Sequence, residues 1–140
     1  MRGSHVVAVA ALIVRAGVDD IPRVLAMRRA SDRKAGPGLW ETLSGRVEHG
    51  EEPRAAMQRE IDEECGLTVS VELRPFAAYG ALRRQQPMIV IAYRARWLAG
   101  EVRMSSEHDA YAWLSADAFR AQTTLTKLAD VVTEALSEPW

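Results

Sequence analysis

Nine apolar residues follow one another from Val6 to Val14, VVAVAALIV, with no polar position among them. The run is rich in β-branched residues and lacks alternation, so it predicts a strand buried on both faces. Arg2 ahead of the run also gives it the outline of a short signal peptide. The continuation Arg15-Ala16-Gly17 into a hairpin-like turn favours the strand.

A second strand is expected at Ile21–Met27, reached through Gly17-Val18-Asp19-Asp20. Arg28–Gly38 then reads as a polar loop punctuated by glycine and proline. Leu39–Leu43 is a short extended piece, and Ser44–Glu52 is a further loop carrying Gly45 and Gly50. Pro53 suits the first turn of a helix, where its missing N–H costs nothing. That helix should run to about Cys65, with Gly66 placed to cap it. Thr68–Leu73, Phe76–Leu82 and Met88–Leu98 read as strands, and Tyr111–Leu114 as a brief one. Ser115 can cap a short helix through Arg120, and Leu125, Leu128, Val132 and Leu136 form the apolar stripe of a C-terminal helix. Strands that enclose a helix in mid-sequence predict an α/β fold, a mixed sheet with helices on both faces.

The 140 residues are expected to form a single domain, residues 1–140. Charged residues make up 26% and apolar residues 48%, and the net charge of −1 gives no field to gather nucleic acid or an anionic membrane. No run approaches the ~20 apolar residues of a membrane span. The single cysteine, Cys65, cannot form an intrachain disulfide and fits a reducing, cytoplasmic setting. A phosphate-bearing ligand would need local help from a metal or from placed arginines.

Such help is concentrated in one stretch. REIDEECGL, residues 59–67, holds Glu60, Glu63 and Glu64 within five positions. On a helical wheel at ~100° per residue, Glu63 falls near −60° and Glu64 near +40° from Glu60, so all three share a face. Met57, Ile61 and Cys65 lie beside them and should meet the sheet. Like charges at this spacing destabilise a helix by roughly 0.2–0.5 kcal/mol per pair, a sign that a divalent cation reverses. Oxygen-only ligands suit Mg²⁺, with Mn²⁺ as a substitute, far better than zinc. A solvated helix face is the plainer alternative for these nine residues alone.

The upstream residues decide between the two. Gly45, five residues, Glu51, seven residues, then Arg59-Glu60-Ile61-Asp62-Glu63-Glu64-Cys65-Gly66-Leu67 matches in full the signature of the Nudix hydrolases, the MutT-like family. At ~7% usage per residue type, its seven fixed positions arise by chance in roughly one window in 10⁸. The resemblance implies a Nudix-type α/β/α sandwich and Mg²⁺-dependent hydrolysis of a nucleoside diphosphate linked to another moiety. It also implies a small nucleotide or polyphosphate substrate, and it admits a homodimer.

By the same resemblance Glu60, Glu63 and Glu64 are metal ligands, and the backbone carbonyl at Gly45 joins them. Arg59 and Glu51 match a bracing pair, with Arg59 orienting carboxylates and Glu51 acting from the loop. The general base is either a motif glutamate such as Glu63 or an acidic residue on a later loop. Ser105-Ser106-Glu107-His108 resembles that loop, which makes Glu107 the candidate and leaves His108 as a surface residue. Arg28, Arg46, Arg83 and Arg84 are candidates to meet phosphate, Arg28 and Arg46 foremost. Trp40 and Tyr79 are read as core side chains, with stacking on a base as the alternative, and Trp97 and Trp113 as core.

Subgroup hints diverge. Gly38–Glu48, with Ser44 ahead of the glycine, is similar to enzymes acting on dihydroneopterin triphosphate. Glu107-His108 followed by Tyr111-Ala112-Trp113 is similar to enzymes acting on dinucleoside polyphosphates. Cleavage of a nucleoside or pterin triphosphate to the monophosphate and pyrophosphate is the preferred expectation. ADP-ribose, nucleotide sugars, dinucleoside polyphosphates and a non-catalytic nucleotide-sensing module are the alternatives.

Overall fold

A computed structural model describes residues 3–32 and 36–140. The apolar run becomes strand β1, Val6–Ala16, at the centre of an eight-stranded sheet. One edge of β1 carries two partners in succession. Strand β4 (Leu43–Arg46) pairs antiparallel with Ala8–Ala11, and strand β2 (Pro22–Arg29) pairs with Val14–Ala16. The sheet therefore forks along that edge. Strand β2 also pairs with the two-residue strand β3 (Trp40–Glu41) and with β8 (His108–Leu114).

The other edge of β1 runs parallel to β7 (Gln86–Ala99), pairing Val6 with Met88 and Val14 with Arg96. The far edge of β7 is shared between β6 (Ala77–Arg83) and β5 (Thr68–Val71), both antiparallel. The β1–β7 pair makes the sheet mixed.

Two-sided burial explains the composition of β1. Val9, Ala11 and Ile13 enter one core with Met57, Ile61 and Cys65, while Ala10 and Leu12 enter a second core with Phe119, Leu128 and Val132. Successive side chains point to opposite faces of a strand, so every position of the buried run Ala8–Val14 must be apolar. Leu12 and Ile13 are fully buried, each contributing ~1.5–3 kcal/mol of apolar burial.

Helix α1 (Pro53–Glu64) covers the first face, with Pro53 opening its first turn. Its end is closed by the N–H groups of Cys65 and Gly66, which both donate to the Ile61 carbonyl at 3.1 and 2.9 Å. Gly66 has φ +69°, the left-handed cap its position predicts. On the second face lie α2 (Ala116–Gln122) and α3 (Thr126–Ser137). Ser115 caps α2 as expected, its hydroxyl accepting from the Ala118 N–H at 3.3 Å. The result is the α/β/α sandwich with a mixed sheet. Among the described residues, no helix is long and apolar enough to cross a membrane.

Three boundaries near the site differ from the sequence reading. Arg28 and Arg29 belong to β2 rather than to a loop, and residues 33–35 of that loop lie outside the described residues, as does Arg2. The loop expected from Ser44 begins as strand β4, since Leu43-Ser44-Gly45-Arg46 is held extended by pairing with β1 and not by its own pattern. Strand β8 begins at His108, ahead of the expected Tyr111, through its ladder to β2. Trp97 and Trp113 sit at the margin of the first core, partly buried, with the Arg15 guanidinium 4.1 and 5.2 Å from their ring centroids.

Candidate active site

Helix α1 crosses β4 where β4 carries Gly45. A Cβ at that position would overlap the carboxyl group of Glu60, so the missing side chain is what lets helix and strand close together. Glu60 and Glu64 are buried, Glu63 is exposed, and one carboxylate oxygen from each lies within 4.8 Å of the others. Burial pushes the Glu60 carboxyl above the ordinary glutamate range, which the neighbouring Arg59 guanidinium partly offsets. Three all-oxygen donors on one face, against a glycine strand, fit a hard divalent cation.

Arg59 holds the cluster together. Its Nε and Nη2 donate to the two oxygens of Glu51 at 2.8 and 2.9 Å, Nη1 donates to Glu60 Oε1 at 2.8 Å, and Nη2 also reaches the Arg46 carbonyl at 3.0 Å. Glu63 Oε2 lies 3.5 Å from Nη1. The fork on Glu51 draws that carboxyl down to about 2. Glu51 acts from the loop before the helix, where its backbone N–H donates to the Glu48 carbonyl. One guanidinium thus ties the loop, the strand and the helix.

These groups face a cleft of about 720 Å³ lined by Gly45, Arg46, Glu60, Glu63, Glu64 and Glu107, with Arg29, Arg83 and Arg84 also on its wall. Glu107 is placed from both sides, its N–H donating to Ser105 Oγ at 3.2 Å and its carbonyl accepting from Ala30 N–H at 2.9 Å. The Ser105 hydroxyl donates to Glu64 Oε2. A second compartment of about 710 Å³ opens beside the first, between β6 and the start of α3. Ala8, Ser44, Arg83, Arg84 and Met88 line both. Tyr79 stands in its wall as well as against the second core, and burial pushes its hydroxyl up to about 12. Trp40 packs against the second core.

The structure thus brings together Gly45, Arg46, Arg59, Glu60, Glu63, Glu64 and Glu107. Arg28 is not brought in. It lies in a strand, pairs with Asp109 at 2.7 Å and lines neither compartment, whereas the next residue, Arg29, reaches the cleft on the opposite face.

His108 is a second correction. It is buried, not on the surface, because β8 begins with it and turns it inward. There Nε2 lies 3.0 Å from Glu41 Oε2, and Glu41 is 3% exposed. Arg29 Nη1 reaches the same oxygen at 3.3 Å, and Arg83 Nη2 lies 3.5 Å from Oε1. This buried polar cluster, seated by the fork of the sheet, had no sequence signal beyond isolated charged residues 67 positions apart.

A sheet between two helix layers, with a carboxylate helix laid over a glycine-bearing strand, defines a Nudix-type sandwich. Residues 4–136 match the NUDIX domain, and the chain belongs to the Nudix hydrolase family. It is 33% identical over 113 residues to a MutT-like protein from Streptomyces ambofaciens, covering 81% of this chain and 66% of that protein. It is 30% identical over 120 residues to the dihydroneopterin triphosphate diphosphatase of Escherichia coli, covering 74% and 76%. The chain also matches an octanoyltransferase from Myxococcus xanthus at 34% over 96 residues, 66% of this chain, and spans only 26% of that protein's length. Among solved structures, the MutT protein of Methanosarcina mazei superposes with a TM-score of 0.80 at 22% identity, over 96% of this chain and 95% of that one.

Proposed function

We propose that this single domain hydrolyses a nucleoside triphosphate or pterin triphosphate to the monophosphate and pyrophosphate. The observation that carries this reading is the adjoining pair of compartments, one lined by glutamates and arginines and one largely apolar, with Arg83 and Arg84 on their shared wall. A cavity of about 710 Å³ suits one flat ring system, in the range of ~300–1,000 Å³ typical of small-ligand sites. The likeness to the dihydroneopterin triphosphate diphosphatase supports a substrate of that shape.

Glu60, Glu63, Glu64 and the Gly45 carbonyl would hold Mg²⁺, with Mn²⁺ as substitute. When bound, the ion neutralises phosphate oxygens and makes a coordinated water more acidic. Arg83, Arg84 and Arg46 meet the polyphosphate, where a guanidinium gives paired, charge-assisted hydrogen bonds. Glu107 takes the proton from the attacking water, with Glu63 as the alternative base. Arg59 touches no substrate and orients Glu60. The carboxylates alone would repel a polyphosphate, so turnover requires the cation. Cytoplasmic residence is part of the reading, as is a chain that acts alone or as a homodimer.

A hydrolysis panel with product identification tests it, run with Mg²⁺ beside Glu64→Gln. The panel spans nucleoside triphosphates, dihydroneopterin triphosphate, ADP-ribose, nucleotide sugars and dinucleoside polyphosphates. Release of pyrophosphate from a triphosphate, lost in the variant, is expected. Turnover of dinucleoside polyphosphates alone would replace the substrate assignment, and silence across the panel with Mg²⁺-binding protein would point to a nucleotide-sensing module.

A further inference from the structure

His108 carries a contradiction that the hydrolytic reading leaves standing. Its side chain is 2% exposed, and its Nδ1 atom has no hydrogen-bond partner. Nε2 faces a carboxylate oxygen of Glu41, and a neutral imidazole must put its proton there to avoid setting two acceptors against each other. Nδ1 is then a buried lone pair with nothing to bind. Buried polar atoms are rarely left unpartnered, so its persistence calls for an explanation.

The surroundings supply one. A ring nitrogen of His108 and one carboxylate oxygen each of Glu64 and Glu107 lie within 4.8 Å of one another. Since Nε2 is taken, Nδ1 is the nitrogen with electrons to give. A histidine that ligates a metal ordinarily donates its other N–H to a carboxylate, which fixes the tautomer and makes the ring more basic. Glu41 stands in that place, itself held by Arg29 at 3.3 Å. Ser105 bonds the Glu64 carboxylate and the Glu107 backbone N–H, which ties the loop carrying Glu107 to the end of the carboxylate helix.

We propose that His108 Nδ1, Glu64 and Glu107 form a second cation site of mixed nitrogen and oxygen donors, selective for Mn²⁺ or another first-row transition ion over Mg²⁺. An imidazole nitrogen suits such ions, whereas Mg²⁺ favours oxygen ligands and keeps its waters. The site shares Glu64 with the all-oxygen cluster, so the inference rests on that carboxylate cluster being metal-loaded. Glu41 is a positioning residue here.

Electron spin-echo spectroscopy of the whole protein titrated with MnCl₂ tests it. The wild type should show ¹⁴N coupling to bound Mn²⁺, which becomes ¹⁵N coupling in protein grown on ¹⁵N-histidine. The signal should survive in the His5→Gln/His49→Gln double variant and vanish in His108→Gln. Should His108→Gln fail to fold, the labelled double variant answers alone, because its one histidine is His108. Glu41→Gln should weaken Mn²⁺ binding ~10–100-fold and Mg²⁺ binding less than about twofold. Bound Mn²⁺ without nitrogen coupling, or coupling that persists in His108→Gln, overturns the site and leaves Mg²⁺-dependent hydrolysis untouched. Failure of both Mn²⁺ and Mg²⁺ to bind overturns the site together with the proposed function.

Discussion

Gly45→Ala is a one-methyl change with a calculable effect. Carbon atoms rest ~3.5 Å apart, and the new Cβ would sit inside the Glu60 carboxyl group, an overlap of more than ~1 Å. Neither partner can yield freely, since Gly45 is paired with Val9 in the sheet and Glu60 is packed beneath Arg59. Forcing such an overlap costs ~1–3 kcal/mol, or a fall of roughly 3–9 °C in melting temperature for a chain of this size. Displacing Glu60 by about 1 Å should also cut turnover ~100-fold. Gly80→Ala is the control for the stability cost, because its new Cβ meets nothing closer than a backbone oxygen at 4.0 Å. Thermal denaturation and Mg²⁺ titration calorimetry on Gly45→Ala, Glu60→Ala and the double variant close a cycle. Removing the Glu60 carboxyl should abolish most of the stability cost of the added methyl. An equal cost in both backgrounds would refute the overlap as the cause.

Glu51 contributes stability that is present above the ordinary range near 4.5 and is lost as the pH falls through about 2. Arg59→Lys breaks the fork, so its acid unfolding, followed by circular dichroism, should begin at higher pH than in the wild type; coincident curves would sink this. Glu60 has the opposite sign, because burial raises its carboxyl, so its contribution to stability is lost as the pH rises through that raised range. In EDTA, Glu60→Gln should therefore melt above the wild type, while added Mg²⁺ should raise only the wild-type melting temperature. Arg83→Ala should lower kcat/KM for the true substrate ~10–100-fold, the worth of a charge-assisted hydrogen bond, and a change below twofold would remove Arg83 from the phosphate path.

The helix, its glycine cap and its three carboxylates were legible because a period of 3.6 and a fixed motif occupy contiguous residues. Strand β1 was legible because two-sided burial leaves no polar position between Ala8 and Val14. Strand β4 was not, since four residues containing serine, glycine and arginine have no strand pattern and become extended only against β1. His108 misled for a related reason. In sequence it sits between Glu107 and Asp109, which reads as a polar turn, and only the ladder from β8 to β2 turns it inward onto Glu41. Arg28 was chosen and Arg29 passed over because only the strand assigns the two to opposite faces. Each miss involves a partner far along the chain, which local pattern does not encode.

The parallel pairing of β1 with β7 carries a cost during synthesis. Val6 meets Met88, 82 positions later, so one edge of an all-apolar strand waits for its partner while the ribosome adds the intervening chain. At ~5–20 residues per second that wait lasts roughly 4–16 s. Strand β4 arrives much sooner but protects only the opposite edge, over Ala8–Ala11. A nascent chain that stops before residue 88 therefore presents VVAVAALIV as an open template for any neighbouring strand. Stalling or truncation in the middle of this protein should show itself first as aggregation, long before any defect in the carboxylate helix could be measured.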